Sequence, residues 1–323
     1  MRWAKAVSGI HQFVESVGEA IRTTIDVHHH YYPQKYLEFL ERSDISPHPS
    51  APLSTETMED RLARMDQESI KAAILSASQA QPYLAQKTRA ADGAKMANDL
   101  FIDVAAQYRE RFKVFAALPL PHIDLCLAEI ERVLDHPDVV GITVTCTILT
   151  EPLDHPRFEP IWQELNRKKS VVFLHPAGRE DLEWLHDYHL TWMVGAPFED
   201  TVAALRLAMS GMTQKYRDIR FIVPHLGGTL PFLLARLLRQ SKDATLAGEL
   251  ATLFYDTVSG SVDALTAATH VFGADHLLFG TDYPYCTGEE FHHHQTYLSE
   301  AGFSTNELAA ILGKTSSALL DKR

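Results

Sequence analysis

Eight short apolar runs, spaced by helix-length sequence, constrain the fold of this 323-residue chain more than any other feature. They are TTIDVHH, IKAAILSAS, FKVFAALPL, VVGITVTC, SVVFLHP, IRFIVPHL, LFYDTVSG and HLLFGTDYP. Between most of them lie stretches with apolar residues at helical spacing, such as TMEDRLARMDQES, GAKMANDLFIDVAAQYRE and EDTVAALRLAMSGM. A strand that is apolar along its whole length is covered on both faces, and alternation with helices lays such strands parallel. Eight such units suit a closed (β/α)8 barrel. A doubly wound open sheet shows the same alternation, and counting does not separate the two. No GxGxxG follows the first strand, which disfavours a dinucleotide fold. Ahead of the pattern, Ile10, Phe13, Val14, Val17 and Ile21 recur at helical spacing. They predict an amphipathic extension over residues 1–22, packed outside a barrel that takes up residues 23–323. That extension lacks a secretory apolar core, and Glu15 and Glu19 argue against a transit segment.

Composition removes several classes of partner. The formal net charge of -12 opposes binding to a nucleic-acid backbone, and NRKKS at 166–170 is the only basic cluster. No apolar run reaches the ~18 residues that a membrane-spanning helix needs. Three scattered cysteines, Cys126, Cys146 and Cys286, make no disulfide framework, so a reducing, cytoplasmic setting is expected.

The polar residues concentrate where the apolar runs end. DVHHHYYP opens with Asp26, His28 and His30 at alternate positions. In a strand these three share a face and His29 points the other way. His175 ends the fifth run, His225 the sixth and Asp282 the eighth. One histidine beside apolar residues is usually a hydrogen-bonded core group. Five titratable groups at the C-terminal ends of barrel strands, where barrel enzymes do their chemistry, point instead to a metal site. Neutral imidazole and carboxylate bind Zn²⁺, Mn²⁺ or a similar divalent ion. The fourth run ends without a lysine or acidic bridge, which favours one ion with an open position for water or substrate. FHHHQ at 291–295 reads as a helix start, where neighbours do not share a face. His292, His293 and His294 are therefore expected at the rim or surface.

DVHHH, FLHP, PHLGG and FGTDYP, in this order and spacing, resemble the amidohydrolase superfamily. LTWMVGAPFEDT at 190–201 and PFLLARL at 231–237 bring the likeness closer to the aminocarboxymuconate-semialdehyde decarboxylase group. That group includes decarboxylases of resorcylate, methylsalicylate and carboxyvanillate. The resemblance implies that His28, His30, His175 and Asp282 bind the metal. It implies that His225 is an acid/base beside them and that Trp192 lines the pocket. It further implies a homodimer in which Arg236 reaches the substrate carboxylate from the neighbouring subunit, as a planar fork that pairs with a carboxylate at two points. Two departures bear on the substrate. No arginine after the first strand matches the family's substrate arginine, and HPAG replaces HPWD.

The expected activity is loss of CO₂, without oxidation, from a small aromatic or vinylogous carboxylic acid of salicylate, resorcylate or muconate-semialdehyde type. It uses one divalent metal, with Zn²⁺ favoured and Mn²⁺ next. The carbon that loses CO₂ must be stabilised, usually by protonation, and His225 and Asp282 are the candidate donors. The same residues would also suit a metal-dependent hydrolase of an ester, a lactone or a C–C bond next to a carbonyl. A non-catalytic metal-binding module ranks third, because an open metal position beside a histidine serves chemistry better than scaffolding.

Overall fold

The computed structural model describes residues 24–43, 56–179 and 181–320, so the helix expected before residue 23 lies outside the described residues. Eight parallel strands follow one another in chain order: β1 Ile25–His30, β2 Ala72–Ser76, β3 Phe112–Ala116, β4 Val139–Thr145, β5 Val171–His175, β6 Arg220–Val223, β7 Phe254–Asp256 and β8 Leu277–Leu278. The last two are short, yet the sheet closes on itself. Val27 N–H donates to Phe279 O at 2.9 Å, Asp282 N–H to His28 O at 2.9 Å and His30 N–H to Tyr283 O at 2.7 Å, and His29 pairs with Tyr283 as a parallel bridge. A seam between the first strand and the last makes the sheet a barrel and excludes the open doubly wound alternative.

The strands are apolar throughout because both of their faces are covered. Val27, Ile74, Phe115, Phe173, Ile222 and Leu278 fill the barrel interior. Phe115 stacks on Phe173 at 5.4 Å between centroids, and Phe173 meets the His28 ring edge-on at 5.0 Å. The alternate positions, among them Leu75, Val114, Val172, Leu174, Phe221 and Tyr255, pack outwards against the helical layer at Phe101, Ile130, Leu165 and Leu207. Burying each such side chain contributes about 1.5–3 kcal/mol. Together the two layers hold the strand ends, and so the polar groups on them, on a rigid base.

The three cysteines are free. Among the described residues no helix is long and apolar enough to cross a membrane.

Candidate active site

Four side chains converge above the barrel interior. His28 and His30 end β1, His175 ends β5, and Asp282 follows β8 on a residue with φ +59°. One potential metal-binding atom from each lies within 4.8 Å of all the others. His28 Nε2 stands 3.1 Å from His30 Nε2, and Asp282 Oδ1 stands 2.7 Å from His30 Nε2 and 3.1 Å from His28 Nε2. Each ring is held from behind through Nδ1: His28 on Asp256 Oδ2 at 2.7 Å, His30 on the Tyr32 hydroxyl at 2.9 Å and His175 on Pro176 O at 2.9 Å. A proton on Nδ1 leaves a bare lone pair on Nε2, which is how metal-binding histidines are oriented. Three such nitrogens and one carboxylate oxygen fit a divalent ion.

The charge balance agrees. Burial, with His30 and His28 nearby, holds His175 well below the usual imidazole range, and burial holds His30 down at about 4. Burial opposes charge on His28 too, but Asp256 and Asp282 outweigh it and raise its pKa to about 10. Burial would raise Asp282, yet His28 and His30 pull it well below the carboxylate range. The cluster is built around one positive centre, and a bound cation would take the place of the proton.

His225 stands beside this group, its ring centroid 5.3 Å from His28 and 6.0 Å from His175. Its Nδ1 pairs with Asp200 Oδ2 at 2.8 Å, and its Nε2 is 4.0 Å from Asp282 Oδ2. Burial lowers its pKa, but the Asp200 carboxylate overrides that and raises it. The backbone bends sharply here: His225 has φ +52° and Leu226 +55°, a left-handed pair costing about 1–3 kcal/mol per residue. Asp256 Oδ1 secures the bend by accepting the His225 N–H at 2.8 Å.

A cavity of about 170 Å³ opens over the cluster, walled by His175, His225 and Asp282 on one side and by Gln79, Trp192, Pro197 and Tyr285 around them. Trp192 thus lines the cavity. It lies on a π-helical turn, Thr191–Gly195, that leads into the helix Ala196–Met209. Gly178, at φ +71°, makes room for it, since a Cβ there would sit 2.5 Å from the indole.

Arg236 is elsewhere. It belongs to the helix Leu230–Ser241, is exposed, and does not line the cavity of its own chain. Phe232, Ala235, Arg236 and Arg239 form one exposed stripe at helical spacing, which turns Arg236 away from the barrel.

Two further readings need correction. Asp26 does not share a face with His28 and His30. The β1 register shifts between Asp26 and His29, and the Asp26 carboxylate accepts the His29 Nδ1 proton at 2.8 Å, the His28 N–H at 3.0 Å and the Thr281 hydroxyl at 2.5 Å. It braces the seam from behind the cluster. The second histidine run is also divided: His292 is exposed on Glu68 at 2.8 Å and His293 reaches Gly260 O at 2.8 Å, but His294 is buried. A helix turns successive side chains by about 100°, so three in a row cannot all stay at the rim.

Sequence reasoning missed Asp256, Asp200 and Arg61. Asp256 ends β7, the same topological position as the histidines, and that position was the available signal. Arg61 gave none. It is buried, donates to His30 O at 2.8 Å, pairs with Glu56 at 3.0 Å and lies over the rings of Tyr31 and Tyr283.

Comparison with known proteins agrees with this architecture. Residues 25–322 match the amidohydrolase family. A 6-methylsalicylic acid decarboxylase of Aspergillus aculeatus is 31% identical over 80% of this chain and 84% of its own length. A gamma-resorcylate decarboxylase of Rhodococcus jostii is 28% identical over 81% of this chain and 86% of its own. Among solved structures, a dihydroxybenzoic acid decarboxylase of a Polaromonas species, with bound manganese and the inhibitor 2-nitroresorcinol, superposes with a TM-score of 0.79. It is 23% identical and covers 92% of this chain and 96% of its own, a likeness of fold.

Proposed function

This chain belongs to the amidohydrolase family, and from that premise we propose that it is a metal-dependent decarboxylase of a small aromatic or vinylogous carboxylic acid. One observation carries the reading: three back-braced imidazole nitrogens and one carboxylate meet at a single point beside His225, at the mouth of a cavity on the strand ends. The relatives' activities, decarboxylation of 6-methylsalicylic acid and gamma-resorcylate, favour a carboxy-lyase over the hydrolase alternative.

His28, His30, His175 and Asp282 hold one divalent ion, with Zn²⁺ first on donor chemistry and Mn²⁺ next. When bound, the ion supplies Lewis acidity toward the substrate carboxylate and a neighbouring oxygen. The rest is done by side chains. His225 keeps a proton because Asp200 stabilises its charged form, and its Nε2 faces the cavity from which a ring or alkene carbon is protonated. Asp282 is the other candidate donor, but it is held ionised by the histidines around it, which leaves His225 the better acid. Trp192 and Pro197 offer flat apolar walls that orient an aromatic ring and keep water out.

The working unit is a homodimer in which Arg236 serves the site of the partner subunit. Phe232, 89% exposed on the same stripe as Arg236, supports an interface on this face. The free cysteines suit a reducing, cytoplasmic setting.

The test is product analysis with metal-loaded protein on salicylate, resorcylate and muconate-semialdehyde acids in ¹⁸O-labelled water. CO₂ released with the decarboxylated product, and no label in that product, is expected. Cleavage of the matching esters or lactones, offered in the same labelled water, with label in their products and no CO₂ from the acids, would place the protein among the hydrolases. Elemental analysis is expected to give about one divalent ion per chain.

A further inference from the structure

The loop after β5 runs between two parts of the site. At its start Pro176 O holds His175 Nδ1 at 2.9 Å, and two residues on Gly178 lies against the Trp192 indole, where a Cβ would sit 2.5 Å from the ring. Ala177 and Gly178 carry no polar side chain that could hold the loop in place. A carboxylate from another element holds it instead. Glu199 Oε2 accepts the Ala177 N–H at 2.9 Å, and Oε1 accepts the Gly178 N–H at 3.0 Å and the Arg179 N–H at 3.2 Å. Gly178, at φ +71°, supplies the left-handed residue that lets successive N–H groups turn to one side, and a nest of this kind fixes the backbone around its anion.

The position of Glu199 is costly for a carboxylate. Burial pushes its carboxyl up to about 7, with Asp200 adding to the rise and the three N–H groups opposing it. Arg179 turns its guanidinium to Asp181 at 2.6 Å rather than to Glu199. A half-buried carboxylate with backbone donors in place of a cation is kept for what it holds. Glu199 stands in the first turn of the helix Ala196–Met209, where Ala196 and Pro197 wall the cavity and Asp200 pairs with His225. One helical turn thus carries part of the cavity wall, the partner of His225 and the anchor of the loop behind Trp192.

We propose that Glu199 is a positioning residue that, through Gly178, fixes the Trp192 indole as one wall of the substrate cavity. The inference rests on the decarboxylase reading, in which Trp192 orients the substrate ring. A wall met alike by the bound acid and by the transition state contributes to binding more than to the chemical step, so its displacement raises KM and leaves kcat nearly as it was.

The experiment uses full-length, metal-loaded Glu199→Gln at about pH 8, where the wild-type carboxyl is ionised. The amide keeps the length of the side chain, but its NH₂ end cannot accept a backbone N–H. On salicylate and resorcylate acids KM is expected to rise about 10-fold while kcat changes less than about 3-fold. In a Trp192→Ala background the same substitution is expected to change KM by less than about 2-fold, because the wall it positions is already gone. Additive effects in that cycle overturn the assignment, and so does loss of the metal in Glu199→Gln, which would place its action on His175. Gly178→Ala is the second variant: its Cβ displaces the indole directly and is expected to raise KM in the same way. Thermal melting confirms that each variant folds. The indole N–H resonance of Trp192, identified by its absence in Trp192→Phe, reads the wall with no substrate present and is expected to shift in Glu199→Gln. If no acid loses CO₂, the decarboxylase reading fails instead, and that resonance still decides: unmoved, it overturns the role of Glu199.

Discussion

The Asp256 carboxylate holds His28 Nδ1 at 2.7 Å with one oxygen and the backbone N–H of His225 at 2.8 Å with the other. One buried group thus fixes a ring of the four-residue cluster and the bend that carries His225. An amide cannot do both. Turned to accept from His225, it offers N–H to His28 and shifts that ring's proton to Nε2, where a lone pair is needed. Asp256→Asn should weaken metal affinity about 10–100-fold. Competition with a chromogenic chelator measures it, and unaltered affinity would remove Asp256 from this role.

His225→Ala should keep the metal and lose about 10²–10⁴-fold in turnover, the usual contribution of a general acid or base. His175→Ala should lose the metal itself. Metal content after gel filtration separates the two, and equal loss in both would make His225 a ligand.

On the proposed mechanism Asp200 sets the pH range. Its carboxylate raises the His225 pKa against the effect of burial. On the proposed mechanism His225 acts in its protonated form, so activity should fall as pH rises through that pKa. Asp200→Asn removes the supporting charge, the pKa drops, and the alkaline limb of kcat/KM should move to lower pH. A limb that stays in place would show that another group titrates there.

Arg236→Ala and His175→Ala chains, each inactive alone, should regain activity when dissociated and mixed. One site of a mixed dimer takes its metal cluster from the first chain and its arginine from the second. Absence of recovery in verified mixed dimers would mean that each chain completes its own site.

Phe173→Ala should cost about 3–5 kcal/mol, because it empties space between Phe115 and the His28 ring at the bottom of the site. Denaturant unfolding checks the stability, and a parallel loss of metal would show that the interior also aims His28.

His28, His30, His175 and Asp282 were legible in the sequence because each ends an apolar run, and a barrel brings such ends to one face. The closed sheet was legible only as one of two options, since the bonds from Val27 to Phe279 and from Asp282 to His28 leave no local trace. Asp256 and Asp200 passed unseen because they act on other side chains, and no spacing rule joins Asp200 to His225 across 25 residues. Asp26 was misplaced because strict alternation assumes an unbroken register, and β1 shifts at that point. The place of Arg236 followed from its helix stripe, which a short motif does not reveal.

His30 and Asp282 meet at 2.7 Å across 252 positions of sequence. The site is complete only once the last strand docks on the first: until then its carboxylate stands apart from the histidines on the first and fifth strands. Closing so large a loop carries an entropic cost, and the contacts that reward it are non-local. Whatever binds the finished cluster draws its stabilisation from that closure alone, so binding will slow the opening of the seam rather than speed its formation. Catalytic competence in this chain doubles as a record that the ring has shut.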